Sequence, residues 1–125
     1  MPVTYSEFMR SAKILVTGNN EIDFRNATSR AYYSALHKAD IVAAKSNGIS
    51  KKNSGLHAQL IQKLKSHTGS TIIDDNIRQI GVLLGMCKKY RVNADYKINH
   101  TIDRSFAQQT ISLVEQLLIL SNQIP

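Results

Sequence analysis

The sequence predicts an all-α fold: an antiparallel, up-and-down bundle of four to five helices forming one domain over residues 1–125. Three observations carry this reading. Apolar residues recur at three- and four-residue spacing along nearly the whole chain, no segment alternates with period two, and the two prolines lie at the two ends. Short polar connections separate the amphipathic stretches, which implies antiparallel neighbours. The chain has 125 residues, 42% of them hydrophobic, which is enough for one core, too short for two domains and too apolar for a disordered chain.

The elements follow in order. Tyr5, Phe8, Met9, Ala12, Leu15 and Val16 share one helical face. Thr4 and Glu7 form a capping-box signature at its start, and Gly18 suits its end. A second helix is expected from about Asp23 to about Ser46, alanine-rich and with Gly48 as its stop. The segment Asn47–Gly55 reads as a loop. Leu56, Leu60, Ile61 and Leu64 then define a third helix reaching about His67, after which Gly69 and Ser70 break the pattern. A fourth helix is expected from about Ile72 to about Asn93. Its acidic residues, Asp74 and Asp75, fall in the first turn, and Lys88, Lys89 and Arg91 near the last, as the helix dipole favours. Within it, Gly81 and Gly85 permit close approach of another helix, either inside the bundle or at a dimer seam. The connection Ala94–Thr101 leads to a fifth helix, Ile102–Asn122. Its apolar arc of Ile111, Leu113, Val114, Leu117, Leu118, Ile119 and Leu120 is wider than one bundle face needs, which points to burial against a partner.

Composition narrows the function classes. The formal net charge is +7, and between Lys51 and Arg91 eight basic residues face two acidic ones. Such a stretch attracts a phosphate backbone, or else serves as a solvated surface. The most apolar run, Ile111–Leu120, is interrupted by Ser112, Glu115 and Gln116 and is too short to span a bilayer, so no membrane role is expected. Met1–Leu15 carries Glu7 and Arg10 and does not read as a signal peptide. Cys87 is the single cysteine, so no intramolecular disulfide forms and a reducing, cytoplasmic setting is expected. His57, His67 and Cys87 lack the spacing of metal ligands, and neither a metal nor a cofactor is expected. Gly-rich phosphate loops, serine-nucleophile motifs and kinase signatures are absent from the sequence.

The second helix has two faces. At 100° per residue, Phe24, Ala27, Ala31, Ala35, Leu36, Ala39 and Val42 fall on one side, the core side. Asn26, Arg30, Tyr33, His37, Asp40 and Ala44 fall opposite. One reading of that strip is a solvated polar face in which Asp40 pairs with His37. The other is a phosphodiester site. There Arg30 neutralises the phosphate, His37 moves a proton near neutral pH, and Tyr33 donates a hydrogen bond or stacks on a base.

The run Arg25-Asn26-Ala27-Thr28-Ser29-Arg30-Ala31-Tyr32-Tyr33-Ser34-Ala35-Leu36-His37 resembles the second-helix signature of HEPN domains (higher eukaryotes and prokaryotes nucleotide-binding). Arg91-Val92-Asn93-Ala94-Asp95-Tyr96 is similar to that family's second landmark. The resemblance covers about Asp23 to Asn122, and the first helix fits as well. It implies a four- to five-helix bundle that pairs as a homodimer. It further implies a toxin–antitoxin or phage-defence setting, with a metal-independent endoribonuclease whose site is shared across the dimer. The alternative it implies is a non-catalytic module that binds a minimal nucleotidyltransferase antitoxin or another protein. Catalytic members place four to six residues between an arginine and a histidine, and here six residues lie between Arg30 and His37. The chain departs from the pattern in having Ala31 where a polar residue is typical. The family's motif often lies on a later helix, near Arg91, where His100 is the next histidine and stands too far along. Three options stay open: Arg30 with His37 as the catalytic pair, Arg91 with His100 as a relaxed version, or no nuclease. Asn26, Tyr33, Arg91 and His100 are the expected nucleotide- or RNA-binding residues.

Overall fold

The computed structural model describes residues 3–125; Met1 and Pro2, part of the N-terminal stretch read above, lie outside them. Among the described residues there are five helices: α1 (Tyr5–Leu15), α2 (Glu21–Ala43), α3 (Leu56–Lys65), α4 (Ile72–Tyr96) and α5 (Arg104–Asn122), with no strand. The bundle is all-α, as the periodicity predicts. No helix among the described residues is long and apolar enough to cross a membrane.

The ends of the elements differ from expectation for identifiable reasons. Thr4 precedes α1, but its side chain makes no capping bond. A full capping box forms instead at Thr71 and Asp74, where α4 begins. Asn20 caps α2 by accepting from the Asp23 amide, so that helix starts two residues early. α4 runs on to Tyr96, which places Asp95 and Tyr96 inside the helix and leaves no basic residue in its last turn. The side chain of Arg25 meets the carbonyls there: its Nη1 donates to the Ala94 carbonyl at 2.9 Å and to that of Asn93 at 3.4 Å. Nη2 donates to the carbonyls of Lys97 and His100. The orphan acceptors of a helix end thus take a cation from a neighbouring helix rather than from their own sequence.

α2 lies at the centre, packed against α1, α3, α4 and α5. Its Ala27, Ala31, Ala35 and Ala39 are fully buried, and their small side chains admit close neighbours. Tyr32, Leu64, Ile80, Leu84, Val114 and Leu117 complete the middle of the core. The apolar arc of α5 is largely absorbed here, since Ile111, Val114 and Leu117 are buried and Leu113, Leu118 and Leu120 half-buried, leaving Ile119 exposed. Gly81 is used internally: a Cβ there would stand 2.8 Å from Leu64 Cβ and 2.9 Å from the Lys65 backbone nitrogen, so α3 presses on α4 at this point.

Successive helices alternate in direction except at one step. Tyr32, midway along α2, meets His57 at the start of α3, and Ser46, just past α2, meets His67 just past α3. α2 and α3 therefore run parallel. Residues 44–55 must travel back the length of α3, about 15 Å for ten residues, before α3 can start. This return segment lies directly on α3. A Cβ at Gly48 would fall 1.8 Å from the Lys63 carbonyl oxygen, so only glycine allows that approach.

Candidate functional site

The strip predicted on α2 exists as an exposed face. Asn26, Arg30, His37 and Asp40 are exposed and Tyr33 is half-buried. Neither Arg30 nor His37 has a hydrogen bond or ion pair among the described residues, and Asp40 does not pair with His37. α1 contributes the ring between them. Phe8 stands 6.0 Å from the Arg30 guanidinium carbon and 5.1 Å, ring to ring, from His37. Tyr33 lies 6.3 Å from Phe8 and 6.5 Å from His37. The fold holds the aromatic rings in place and leaves both polar groups free to reach outward.

The two sequence landmarks meet one layer deeper. The Ser29 hydroxyl donates to Asp95 at 3.4 Å, and Arg91 pairs with Asp95 at 3.5 Å. Arg91 is 8% exposed, and its guanidinium carbon lies 5.1 Å from the ring centre of Tyr32, 5.9 Å from Tyr33 and 5.8 Å from Tyr96. Its Nε is buried with no hydrogen-bond partner among the described residues, so the three aromatic faces do much of the balancing of its charge. Burial works against that charge, but Tyr33, Tyr32 and Asp95 outweigh it and hold the guanidinium protonated above its ordinary range. Tyr32 is fully buried, and its hydroxyl meets His57 Nδ1 at 2.9 Å. Burial pushes the Tyr32 phenol up to about 12, with Arg91 opposing. His57 is pushed down, first by burial and then by Arg91 and Lys88. A guanidinium enclosed in this way braces α4 against α2, with the Tyr32–His57 bond extending the link to α3, and offers little to a phosphate.

His100 is exposed in the connection before α5 and contributes its backbone carbonyl to Arg25. No hydrogen bond or ion pair joins it to Arg91 among the described residues. The structure therefore brings Arg30, His37, Tyr33 and Phe8 to one surface, and it sets Arg91 and His100 to separate structural tasks. Two contributors escaped the sequence reading. Arg25 shares a seven-residue stripe with Tyr32 and Ala39, a spacing that marks it as inward-facing. His57 reaches Tyr32 across the return segment, and nothing in its local spacing signals this.

Known proteins add no assignment. Comparisons with family models, with curated proteins and with solved structures find no match. The free groups of the site are a permanently charged donor and an imidazole, with a phenol and a phenyl ring between them. Among the described residues no three metal-ligating side chains converge. The groups on the strip suit proton transfer and charge stabilisation at a phosphodiester.

Proposed function

We propose that this chain is a HEPN-like protein of a toxin–antitoxin or phage-defence system that acts as a metal-independent endoribonuclease, with its site completed by a second copy. The observation that carries this reading is that Arg30 and His37 are exposed on one face of α2 and unused by the fold, against the same Phe8 ring. In the reaction the ribose 2′-hydroxyl attacks the adjacent phosphorus and the 5′-oxygen leaves. His37 carries the proton, and Arg30 stabilises the charge that develops on the phosphoryl oxygens.

Helix geometry favours a site shared between two copies. His37 lies seven positions beyond Arg30, which is about 10 Å along the axis. That is far for one phosphate. If two α2 helices cross antiparallel about Tyr33, Arg30 of each copy stands opposite His37 of the other. The strip carries one cation and one carboxylate, Asp40, so two such faces meet without net repulsion.

A second reading has one observation in its favour. Among the described residues His37 has no hydrogen-bond partner to fix its tautomer, as a built catalytic histidine commonly has. The face would then dock a nucleotidyltransferase or another protein without chemistry. The two separate on incubation of tRNA with the purified protein in EDTA. Wild type is expected to leave 2′,3′-cyclic phosphate ends and to spare DNA. Arg30→Ala and His37→Ala, both at exposed positions, are expected to lose about a hundredfold or more. A silent wild type hands the assignment to the docking reading, and cleavage retained by both variants moves the site elsewhere.

A further inference from the structure

The return segment and α3 form a surface that the proposed chemistry does not use. The segment is tied down through its polar groups. Ile49 exchanges two hydrogen bonds with the Ser66 hydroxyl at 2.9 Å, and the Lys51 amide donates to Gln62 Oε1 at 2.8 Å. Gln62 Nε2 in turn donates to the Ser54 hydroxyl at 3.2 Å. A groove opens on each flank of this segment, and Ser50 is the ridge between them. The first, of about 450 Å³, lies between α2 and α3, with Leu36, Leu56 and Leu60 as apolar wall, Lys63 at the rim and His37 at the α2 side. The second, of about 570 Å³, has Ile49 and Ile61 as wall and Lys51 and Lys65 at its rim. The first groove's volume is in the range of small-ligand clefts, and Leu56 is left 81% exposed at its mouth.

We propose that this face is a binding track for single-stranded RNA. A base enters the groove between α2 and α3, and Lys51, Lys63 and Lys65 neutralise the flanking phosphates. Charge and shape both favour this occupant. The lysines flank apolar slots, the alternation that a strand of phosphates and flat bases requires. The one carboxylate in the first groove, Asp40, accepts from the N–H edge of a base. A duplex keeps its bases stacked inside and has nothing to place in either slot. Because His37 is part of the same wall, a strand held here passes beside the strip on α2. That last step rests on the ribonucleolytic reading; the binding face does not.

The test uses a short, dye-labelled 2′-O-methyl RNA of mixed sequence, which has no free 2′-hydroxyl to attack, and reads binding by fluorescence anisotropy across a salt series. The triple variant Lys51→Gln, Lys63→Gln, Lys65→Gln is expected to bind about tenfold or more weakly, and its log-affinity against log-salt slope to flatten by about 2, at roughly 0.7 per single-strand phosphate contact. Leu56→Ser is expected to weaken binding several-fold at unchanged slope. A control triple of equal charge change, Lys13→Gln, Lys38→Gln, Lys97→Gln, is expected to cost less than the track triple in both measures. Absence of binding by wild type, or equal losses in the two triples, overturns the proposal. So does equal competition by polyglutamate, which assigns the face to an acidic protein. If wild type binds through the track yet cleaves nothing, the face stands and the nuclease reading falls. If Arg30→Ala abolishes cleavage while the track triple binds as wild type does, the nuclease reading stands and the face falls.

Discussion

Arg25 does more for the architecture than any other single polar side chain. It is 8% exposed and donates to four backbone carbonyls from the end of α4 and the connection to α5, while Glu21 pairs with it from the preceding turn. Its removal leaves those acceptors unmet in a place that water reaches poorly. Arg25→Ala is expected to cost about 2–4 kcal/mol, the sum of one or two buried unsatisfied groups. Chemical denaturation checks this, and Arg30→Ala, one and a half turns on and exposed, serves as the neutral control. The contrast shows which residues the sequence made legible. Arg30 and His37 faced outward as the 100° arithmetic requires, because the orientation of a side chain on a helix is a local property. Arg91 looked like a ligand-binding cation and is a brace. The warning was its position on the stripe Ile80, Leu84, Cys87, Arg91, all buried, but the tyrosine faces that make such burial tolerable come from α2 and assemble only in three dimensions.

At the scale of elements, the step from α2 to α3 decides the shape. His67 pins it. Its Nδ1 accepts from the Asn47 amide at 3.1 Å, so the ring hydrogen directed at Asp74, 2.7 Å away, sits on Nε2. One imidazole thereby joins the return segment, the end of α3 and the start of α4. Hydrogen bonds from His67 and Thr71 hold the Asp74 carboxyl at about 2, below its ordinary 3.8. A lowered acid stabilises the fold fully above the unfolded value and loses that contribution as pH falls through the folded one. Thermal melts should therefore show a loss of stability between pH about 4 and about 2. Asp74→Asn should lower the melting temperature at neutral pH and flatten that acid limb; an unchanged limb would refute the coupling. Helix number and the inward stripes were legible because 3.6-residue periodicity is written into each segment. The parallel step was not. A polar, glycine-containing stretch reads the same whether it turns back at once or runs the length of α3 first. Nothing in the loop composition names the Ser66, Gln62 and His67 side chains that hold it down.

At the scale of the molecule, the proposed pairing of a chain of net charge +7 requires a face that does not add to its own repulsion. The α2 strip qualifies, with Arg30 and Asp40 cancelling, and the lysine-rich return segment does not. On the two proposals, one surface would take a second copy and an adjoining one a polyanion, with His37 belonging to both. It also fixes how two defective copies should behave. If each site takes Arg30 from one copy and His37 from the other, a mixed dimer of Arg30→Ala and His37→Ala keeps one intact site and loses the other entirely. Random exchange makes half of the dimers mixed, so an equimolar mixture should recover about a quarter of wild-type cleavage, although each variant alone is inactive. Single-turnover cleavage of tRNA after co-refolding measures this recovery. Were both groups to act within one copy, the mixture would stay as silent as its components, because every chain in it lacks one of the pair. Recovery therefore reports a site shared between copies, which no single-variant rate distinguishes.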